Sequence, residues 1–592
     1  MHGRVKVRTT AEQKEAKRKE REKKLKVYNG VTSKIWKKRA EKELDDEALG
    51  LTREVLAANP DFYTMWNFRK EIFLEVSSSR PENDFQALCS SELSFLEDCL
   101  QVNPKSYGAW HHRCWIMDHM PHPDWKKELK LCDIYLQHDE RNFHCWDYRR
   151  FVVARSNVKA KDELEFSTAK ISSNFSNFSS WHYRSKLLPL LYPDEESTGR
   201  VREDILLQEY ELAQNAFFTD PNDQSAWFYH RWLLGRGDSP QNINYLYANK
   251  RHNMIVVVFA QPVLIPDKNS VVVTMNGQVR DGEWTTSNGQ HIHSLIWVSL
   301  LWMLWWFSLP RLVICMDQFV PTPFFFVLKA RFYPFNISFI SFILMLSIKF
   351  HFFSAAGDFE SWSKEVNVAA RLFSSQLSVE KTGVLTQELE SCQQLLELEP
   401  DNKWCVFTII QLMRSLDPLR YEAQTVDYMN ILLRTDPYRA NYFHDLRSRF
   451  CIENEILRAE AAEDRIKVID LSKKELTTLI HLEHLVPLTE INISSNKLTS
   501  LSGCHMLQCA EKILADDNSI ASLQGLGPMH SLKELSINNN SIKSIDDLST
   551  LTSCPNLSSL SLTGNPVCQL DDFQNAIKNL FPHIQLLNGV QL

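Results

Sequence analysis

The sequence predicts a mainly α-helical chain, in which a solenoid of helical hairpins is interrupted by a small β-sandwich-like domain and followed by a second repeat domain. Three observations predict this fold: a tryptophan-centred repeat in the first 240 residues, short apolar runs after it, and an asparagine-centred repeat near the C-terminus. Only 17 of 592 residues are glycine, well below the usual share of about 7%. A chain with so little glycine favours long helices with short connections.

The tryptophan-centred repeat has five clear copies and two weaker ones. The clear copies read NPDFYTMWNFR, NPKSYGAWHHR, DERNFHCWDYR, NFSNFSSWHYR and DPNDQSAWFYHR, and they centre on Trp66, Trp110, Trp146, Trp181 and Trp227. The weaker copies lie around Trp404 and Tyr442. An amphipathic run precedes each copy, so each unit is predicted to be a helical hairpin.

Residue types within the repeat suggest structural roles. We expect each Asn-Pro or Asp-Pro pair to start a helix, with Asn or Asp as N-cap and Pro at the first helical position. The tryptophans are expected to fill the space between stacked hairpins. Each repeat arginine is expected to lie along the aromatic face with its guanidinium in water, and a contact with an acidic partner or a phosphate is the alternative.

The second repeat is typical of leucine-rich repeats. Asn496, Asn518, Asn540 and Asn565 are 22, 22 and 25 residues apart and follow leucine-rich segments such as LTEINISSNKL, which is the leucine-rich-repeat period. We expect these asparagines to form a buried ladder that satisfies backbone groups of the loops.

Between the two repeats the pattern changes to that of a β-domain and then to an apolar segment. Asn276-Gly277 and Asn288-Gly289 separate short apolar runs, as in β-hairpins. An apolar segment follows at 294–353: its first 17 residues carry no charge, and Asp317 is its only acidic residue. Its prolines and marginal length favour a translated non-coding segment or a faulty gene model; a membrane hairpin and a buried core are the alternatives.

These observations divide the chain into six parts. They are a basic N-terminal arm at 1–45, helical-hairpin repeats at 46–240, an incomplete inserted β-domain at 241–290, an apolar and possibly non-native insert at 291–357, a return to helical repeats at 358–460, and leucine-rich repeats at 461–592.

Charge and cysteine content limit the possible partners and the cellular location of the protein. The formal charge of −7 gives no strong field that would indicate nucleic acid as a partner. Thirteen cysteines are scattered without a CxxC pair, and the N-terminus is basic rather than apolar. A reducing, cytoplasmic location is therefore expected.

The recurring Pro-x5-Trp-x2-Arg hairpins resemble the repeats of protein prenyltransferase alpha subunits, and the added β-domain and leucine-rich repeats resemble the type II branch of that family. The resemblance implies an alpha subunit that is active only with a beta subunit. Together they would transfer geranylgeranyl from geranylgeranyl diphosphate to C-terminal cysteines of Rab GTPases presented by Rab escort protein. Zinc would belong to the beta subunit, and this chain has no CxxC or HExxH motif.

The resemblance also implies a contact between this chain and the substrate. In the family, a repeat presents a basic residue to the isoprenoid diphosphate, just before the aromatic residue that precedes Trp. The matching residues are Lys105 with Tyr107, and in second place Arg141. No residue is expected to be catalytic in this chain alone. His2 is expected either to reach an open metal position of the partner or to lie in a disordered tail.

Two further hypotheses compete with the enzyme subunit. One is a non-enzymatic scaffold, in which the helical repeats and the leucine-rich repeats each bind a partner. The other is a membrane-anchored leucine-rich protein, which the basic N-terminus and the scattered cysteines disfavour.

Overall fold

The chain divides into two compact units, Met1–Pro193 and Asp194–Leu592, in a computed structural model. The structure describes residues 11–194, 201–235, 243–249, 254–264, 271–275, 278–280, 283–289, 294–300, 312–316, 320–321, 346–350, 360–364, 382–462 and 466–592.

The first unit is a succession of helical hairpins. Its helices are α1 Ala11–Ala40, α2 Asp46–Ala58, α3 Tyr63–Ser79, α4 Glu82–Val102, α5 Tyr107–His119, α6 Trp125–His138, α7 Phe143–Arg155, α8 Ala160–Ser173 and α9 Phe178–Leu191. The odd-numbered helices from α3 onward carry the repeat tryptophans, which are 1% to 4% exposed. The predicted basic arm is thus largely the helix α1.

The helix starts differ from the prediction. Asn59 and Asn103 do not begin helices but are the C-caps of α2 and α4. Asn103 uses its Oδ1 to accept the backbone N–H of Lys105 at 3.1 Å, which closes an Asx turn. The N-caps of α5 and α7 come three residues after the preceding C-caps, Ser106 after Asn103 and Asn142 after Asp139, and their side chains accept helix N–H groups. The expected N-cap position was wrong because Asn and Asp suit turns as well as caps.

One backbone carbonyl in each hairpin explains the Pro-x5-Trp spacing. The Pro104 carbonyl accepts the indole N–H of Trp110 at 2.9 Å and the side-chain N–H of Asn142, the N-cap of α7, also at 2.9 Å. The same pair of bonds recurs at the carbonyls of Pro60, Glu140 and Pro221, with Trp66 and Ser106, Trp146 and Asn177, and Trp227 and Asn402 as the respective donors. Each carbonyl therefore fixes the register between one hairpin and the next.

Buried glutamates provide a second link between consecutive hairpins, in addition to the carbonyl hydrogen bonds. Glu128 accepts two hydrogen bonds from the Arg113 guanidinium of the preceding hairpin (2.6 and 2.7 Å) and one from the Tyr148 hydroxyl of its own hairpin (2.5 Å). Equivalent pairs are Arg69 with Glu92 and Arg149 with Glu163. The guanidinium groups are thus not in water, as we had expected, because a carboxylate inside the solenoid binds each of them in bidentate fashion.

The second unit continues the hairpins on both sides of the β-domain. Its helices are α10 Glu203–Thr219, α11 Gln224–Leu234, α12 Thr382–Leu398, α13 Lys403–Leu416, α14 Glu422–Thr435 and α15 Ala440–Ala462. Asn402 bonds to the Pro221 carbonyl at 2.6 Å across 181 residues. The β-domain is therefore inserted between two hairpins that are neighbours in space.

Two of these hairpins depart from the repeat pattern of the sequence. His230 replaces the repeat arginine, and its Nε2 lies 2.7 Å from Glu388 Oε2. Trp404 is not the repeat tryptophan of its hairpin, because the spacing from Pro400 leads to Val406, which is fully buried. The hairpin architecture is kept in both places, although one hairpin has His230 instead of the repeat arginine and the next has Val406 instead of the repeat tryptophan.

The β-domain contains two sheets. Its strands are β1 Ile243–Asn249, β2 Met254–Leu264, β3 Val271–Met275, β4 Gln278–Arg280, β5 Glu283–Thr286, β6 Ser294–Leu300, β7 Leu312–Met316, β8 Val320–Pro321, β9 Leu346–Phe350 and β10 Glu360–Lys364. One sheet has the order β10-β1-β2-β6-β5, with β8 paired to β2, and the other has the order β4-β3-β7-β9. The predicted hairpins are present: β3 pairs with β4 and β5 with β6, both antiparallel.

The strand β6 corrects the predicted end of the β-domain at 290. It belongs to the segment that the sequence assigned to the apolar insert, yet it lies between β2 and β5, and Ile296, Trp297 and Val298 are buried. A strand covered on both faces is as apolar as a membrane span, so hydropathy alone could not separate them. Of the helices that the structure describes, none combines the length and the apolar character needed to cross a bilayer.

The C-terminal part has a parallel sheet built by the leucine-rich repeats. Its strands are β11 Val468–Asp470, β12 Glu490–Asn492, β13 Lys512–Leu514, β14 Glu534–Ser536, β15 Ser559–Ser561, β16 Leu586–Leu587 and β17 Val590–Gln591, of which only β17 is antiparallel to its neighbour. One α-helix, α16 Phe573–Leu580, and 3₁₀-helices at Leu482–Leu485, Cys504–Met506, Asp546–Ser553 and Pro566–Gln569 connect the strands.

The repeat asparagines bond to the backbone of adjacent repeats. Asn496 accepts the N–H groups of Lys474 and Leu476 at 3.0 Å and donates to the Leu471 carbonyl at 2.9 Å. Asn518, Asn540 and Asn565 make the equivalent bonds in later repeats. The β-domain shares one hydrophobic core with these repeats. The predicted fold class, with helical hairpins, an inserted β-domain and leucine-rich repeats, is confirmed.

His481 lies where α15 meets the first leucine-rich repeat. Its Nε2 is 3.1 Å from Glu453 on α15, and its Nδ1 is 3.2 Å from Glu483. Burial lowers the pKa of His481, but the two carboxylates outweigh burial and raise this pKa to about 9. An imidazolium therefore joins the two repeat types.

A methyl group at Gly108 should disturb the stacking of the first hairpins. A Cβ at this position would lie 2.7 Å from Cδ1 of Trp66, so Gly108→Ala should lower the free energy of unfolding by about 1 to 3 kcal/mol. Gly50→Ala is the control, since nothing lies within 4 Å of its Cβ position and alanine favours helices by about 0.5 to 1 kcal/mol. Urea unfolding of the full chain measures both; equal midpoints for the two variants would contradict the packing described.

The His481 ion pairs should make stability depend on pH. Because the pKa in the folded chain is raised from 6.5 to about 9, the stabilisation is complete below pH 6.5 and is lost as the pH rises through 9. His481→Gln should therefore lower the melting temperature at pH 6, by an amount equivalent to at most about 3 kcal/mol, and have much less effect at pH 9.5. The exposed His122→Gln serves as control. A difference that stays constant between pH 6 and 9.5 would exclude a charged His481.

Candidate functional site

In the first unit, the second helix of each hairpin begins with an exposed aromatic residue, and these residues form one face. Tyr63, Tyr107, Phe143 and Phe178 are the first residues of α3, α5, α7 and α9 and are 43% to 68% exposed. Apolar rings repeated at one edge of a solenoid are typical of a protein-binding surface. The short turns before these helices carry the residues predicted to contact a diphosphate.

Lys105 lies in the turn before α5, and its side chain is largely exposed to solvent. Its side chain is 64% exposed, and its Nζ lies 3.4 Å from the Asp139 carboxylate of the next hairpin. The same carboxylate accepts the backbone N–H of Arg141 at 3.1 Å. An exposed ion pair of this kind contributes less than about 1 kcal/mol. Lys105 can therefore exchange Asp139 for a stronger anion at small cost.

Tyr107 joins the turns of two hairpins. Its ring meets the ring of His144 edge-on at 4.2 Å and lies 6.1 Å from that of Phe143. Burial and the positive charge of Lys105 lower the pKa of His144, so the imidazole is neutral at pH 7. The structure thus brings Lys105, Tyr107 and Arg141 to one edge of consecutive hairpins.

A second basic group lies on the neighbouring helices α3 and α5. Lys70 Nζ is 3.2 Å from His111 Nδ1, and the His111 ring stacks on Tyr63 with a centroid distance of 6.1 Å. Burial lowers the pKa of Lys70 to about 8, and burial together with the Lys70 charge lowers that of His111 to about 3. At pH 7, His111 is therefore a neutral acceptor for the Lys70 ammonium group.

The residues around Lys105 do not fit a zinc ion. Among the described residues, the group of three potential ligands within 4.8 Å of one another is His481, Glu483 and His484, at the start of the leucine-rich repeats. These residues are engaged in ion pairs with each other and with Glu453. His2, the proposed ligand in trans, lies outside the described residues.

The buried glutamates are the residues that sequence reasoning missed. A signal for them exists, because Glu92 precedes Trp110 by 18 residues and Glu128 precedes Trp146 by the same 18. Glu163 and Glu209 stand at that distance from the next two repeat tryptophans. The motif around each tryptophan does not include these glutamates, because they lie in the preceding helix.

Family models match the helical hairpins, the inserted β-domain and the leucine-rich repeats. The protein prenyltransferase alpha subunit repeat matches residues 45–76, 89–120, 125–156, 160–191 and 206–237. The insert domain of the Rab geranylgeranyl transferase alpha subunit matches 243–304, and two copies of leucine-rich repeats match 530–575. The insert-domain match includes all of β6.

Comparison with whole proteins also indicates an alpha subunit of this kind. The geranylgeranyl transferase type-2 subunit alpha of Homo sapiens is 44% identical over 591 residues, which cover 99% of both chains, and that of Bos taurus is 44% identical over 588 residues with the same coverage. A solved protein geranylgeranyltransferase-I from Candida albicans, complexed with GGPP, is 22% identical, covers 35% of this chain and 66% of its own, and has a TM-score of only 0.29. Because the relatives match over their full length and the parts occur in the same order, the chain belongs to the family of geranylgeranyl transferase type-2 alpha subunits.

Proposed function

We propose that this chain acts with a type-2 beta subunit in the cytosol to transfer geranylgeranyl from its diphosphate to C-terminal cysteines of Rab GTPases, which Rab escort protein presents. Family membership supports the activity. The observation that carries this chain's part in it is the edge where Lys105, Tyr107 and Arg141 come together on consecutive hairpins.

The proposed role of Lys105 is to stabilise the leaving diphosphate. As the bond to the isoprenoid carbon breaks, negative charge grows on the diphosphate oxygens, and an ammonium placed there lowers the barrier. The weak Asp139 contact holds Lys105 at the edge until the diphosphate replaces it. Arg141 would add a second positive charge, and Tyr107 would fix the position of both turns through the His144 ring.

We assign zinc to the beta subunit, where it would bind the cysteine thiolate of the protein substrate and lower its pKa. The support on this side is chemical: Lys105, Arg141 and Tyr107 suit phosphate oxygens rather than zinc. Asp139 and His144 beside them do not belong to a group of three close potential ligands among the described residues. His2 remains a proposed ligand in trans. Zinc analysis of this chain alone and of the heterodimer tests the assignment, which predicts about one zinc ion only in the heterodimer.

Replacement of Lys105 should slow transfer without separating the subunits. Loss of one charged contact in the transition state should lower kcat about 10- to 100-fold. The measurement is Rab prenylation by the purified heterodimer with escort protein, alongside gel filtration. Lys126→Ala, an exposed lysine on α6, is the matched control and should be fully active.

The possible outcomes test the Lys105 contact and the enzyme role separately. Normal turnover of the Lys105→Ala heterodimer would refute the diphosphate contact while leaving the enzyme role intact. Failure of the wild-type chain to form a heterodimer, or a heterodimer that does not prenylate any Rab, would favour the scaffold hypothesis instead.

A further inference from the structure

A cavity of about 190 Å³ lies where the last helical hairpin meets the leucine-rich repeats. Its walls come from three sides: Thr425 and Met429 on α14, Phe450 and Asn454 on α15, and the first loop of the leucine-rich repeats. The cavity is lined by residues of the second unit only and has no connection in sequence to the Lys105 edge. A role for this cavity would therefore be separate from the proposed prenyl transfer.

The cavity wall carries an excess of positive charge. Arg414, Arg447, Lys473 and Lys474 line it, against the single carboxylate of Glu422. Three of these cations have acidic partners that are not wall residues: Glu453 for Arg414, Glu475 for Arg447 and Glu455 for Lys474. Within the described part of the chain, Lys473 has no carboxylate within 4 Å, so its charge is available to a ligand.

A buried hydroxyl group in the same wall has no partner. Thr425 is 4% exposed, and its Oγ1 makes no hydrogen bond with the described residues. A buried hydroxyl without a partner costs about 1 to 3 kcal/mol relative to a satisfied one. Met429 and Phe450, which are 1% and 6% exposed, provide an apolar floor beside it. The wall thus combines cations, one orphan donor and an apolar surface.

We infer that this cavity binds a small organic anion, a carboxylate or phosphate that carries a short apolar group. The cations would neutralise the anionic group, the Thr425 hydroxyl would donate to one of its oxygens, and the apolar group would lie on Met429 and Phe450. The volume is below the roughly 300 to 1,000 Å³ of sites for drug-sized ligands, which limits the ligand to a single small group. Such a group can belong to a free metabolite or to the C-terminal residue of a peptide.

Calorimetry on the full chain tests the charge requirement. Phenyl phosphate and benzoate should bind saturably, inorganic phosphate more weakly, and benzylamine not at all. Lys473→Gln should weaken binding about tenfold, in line with loss of one charge-assisted contact. Lys497→Gln is the matched control, because Lys497 is 59% exposed, lies 3.7 Å from Glu475 and does not line the cavity. Binding of benzylamine as tight as that of the anions, or equal effects of the two lysine changes, would overturn the inference.

The Thr425→Val variant tests the hydroxyl group. Without ligand, it should be at least as stable as the wild type, because it removes an unsatisfied donor without changing the side-chain volume much. With phenyl phosphate, it should gain less melting temperature than the wild type. An equal ligand-induced shift in both proteins would exclude Thr425 from the site, and no binding by any of the anions would refute the cavity as an anion site.

Peptides distinguish the two sources of the ligand. A short peptide with a C-terminal phenylalanine carboxylate that binds more tightly than benzoate, while its amide does not bind, would assign the site to a protein C-terminus. Equal binding of the acid and its amide would refute recognition of an anion. Benzoate bound more tightly than the peptide would support a free metabolite.

Discussion

The helical part of this protein depends on a carbonyl oxygen that accepts two hydrogen bonds. In each of four hairpins, the residue six before the repeat tryptophan position offers its carbonyl to the indole N–H and to the N-cap of the next hairpin. Both donors are buried or half-buried, and a carbonyl has two lone pairs with which to satisfy them. The position of one turn is therefore set by the turn before it, and the turns are what carry Lys105 and Arg141.

A second link reinforces the first and explains why arginine recurs in the motif. Each buried glutamate holds the arginine of one hairpin and a tyrosine or histidine of the next, as Glu128 holds Arg113 and Tyr148. Burying such a pair has a desolvation cost that can exceed the gain, but removing one partner from it is strongly destabilising. The pairs thus favour one stacking arrangement over others more than they add stability. His230 with Glu388 shows that a smaller side chain can occupy the same position.

Sequence reasoning reached the architecture because hydrophobic period and repeat spacing are local properties. It placed the hairpins, the β-hairpins at Asn276-Gly277 and Asn288-Gly289, and the asparagine ladder. It failed where the answer depended on a distant partner: Asn103 could have been a cap or a turn residue, and Arg113 could have faced water, until the position of Glu128 was known. At the Lys105 edge, the sequence predicts residue types that suit a phosphate contact, but their shared partner Asp139 is evident only from the three-dimensional stacking of the hairpins. The apolar strand β6 was mistaken for a foreign segment because the leucine-rich repeats that share a core with Ile296 and Val298 are distant in sequence.

The insertion between Pro221 and Asn402 has a consequence for synthesis on the ribosome. Neighbouring hairpins elsewhere close their carbonyl bond across 37 to 46 residues, whereas here the bond waits for 181. The added loop costs only about 1 kcal/mol in closure entropy. Time is the larger difference, since at about 5 to 20 residues per second the hairpin containing Trp227 stays without its neighbour for roughly 10 to 35 s. During that interval, the face of α11 that packs against α13 in the folded chain stays uncovered, and this prolongs the exposure of apolar surface on the nascent chain.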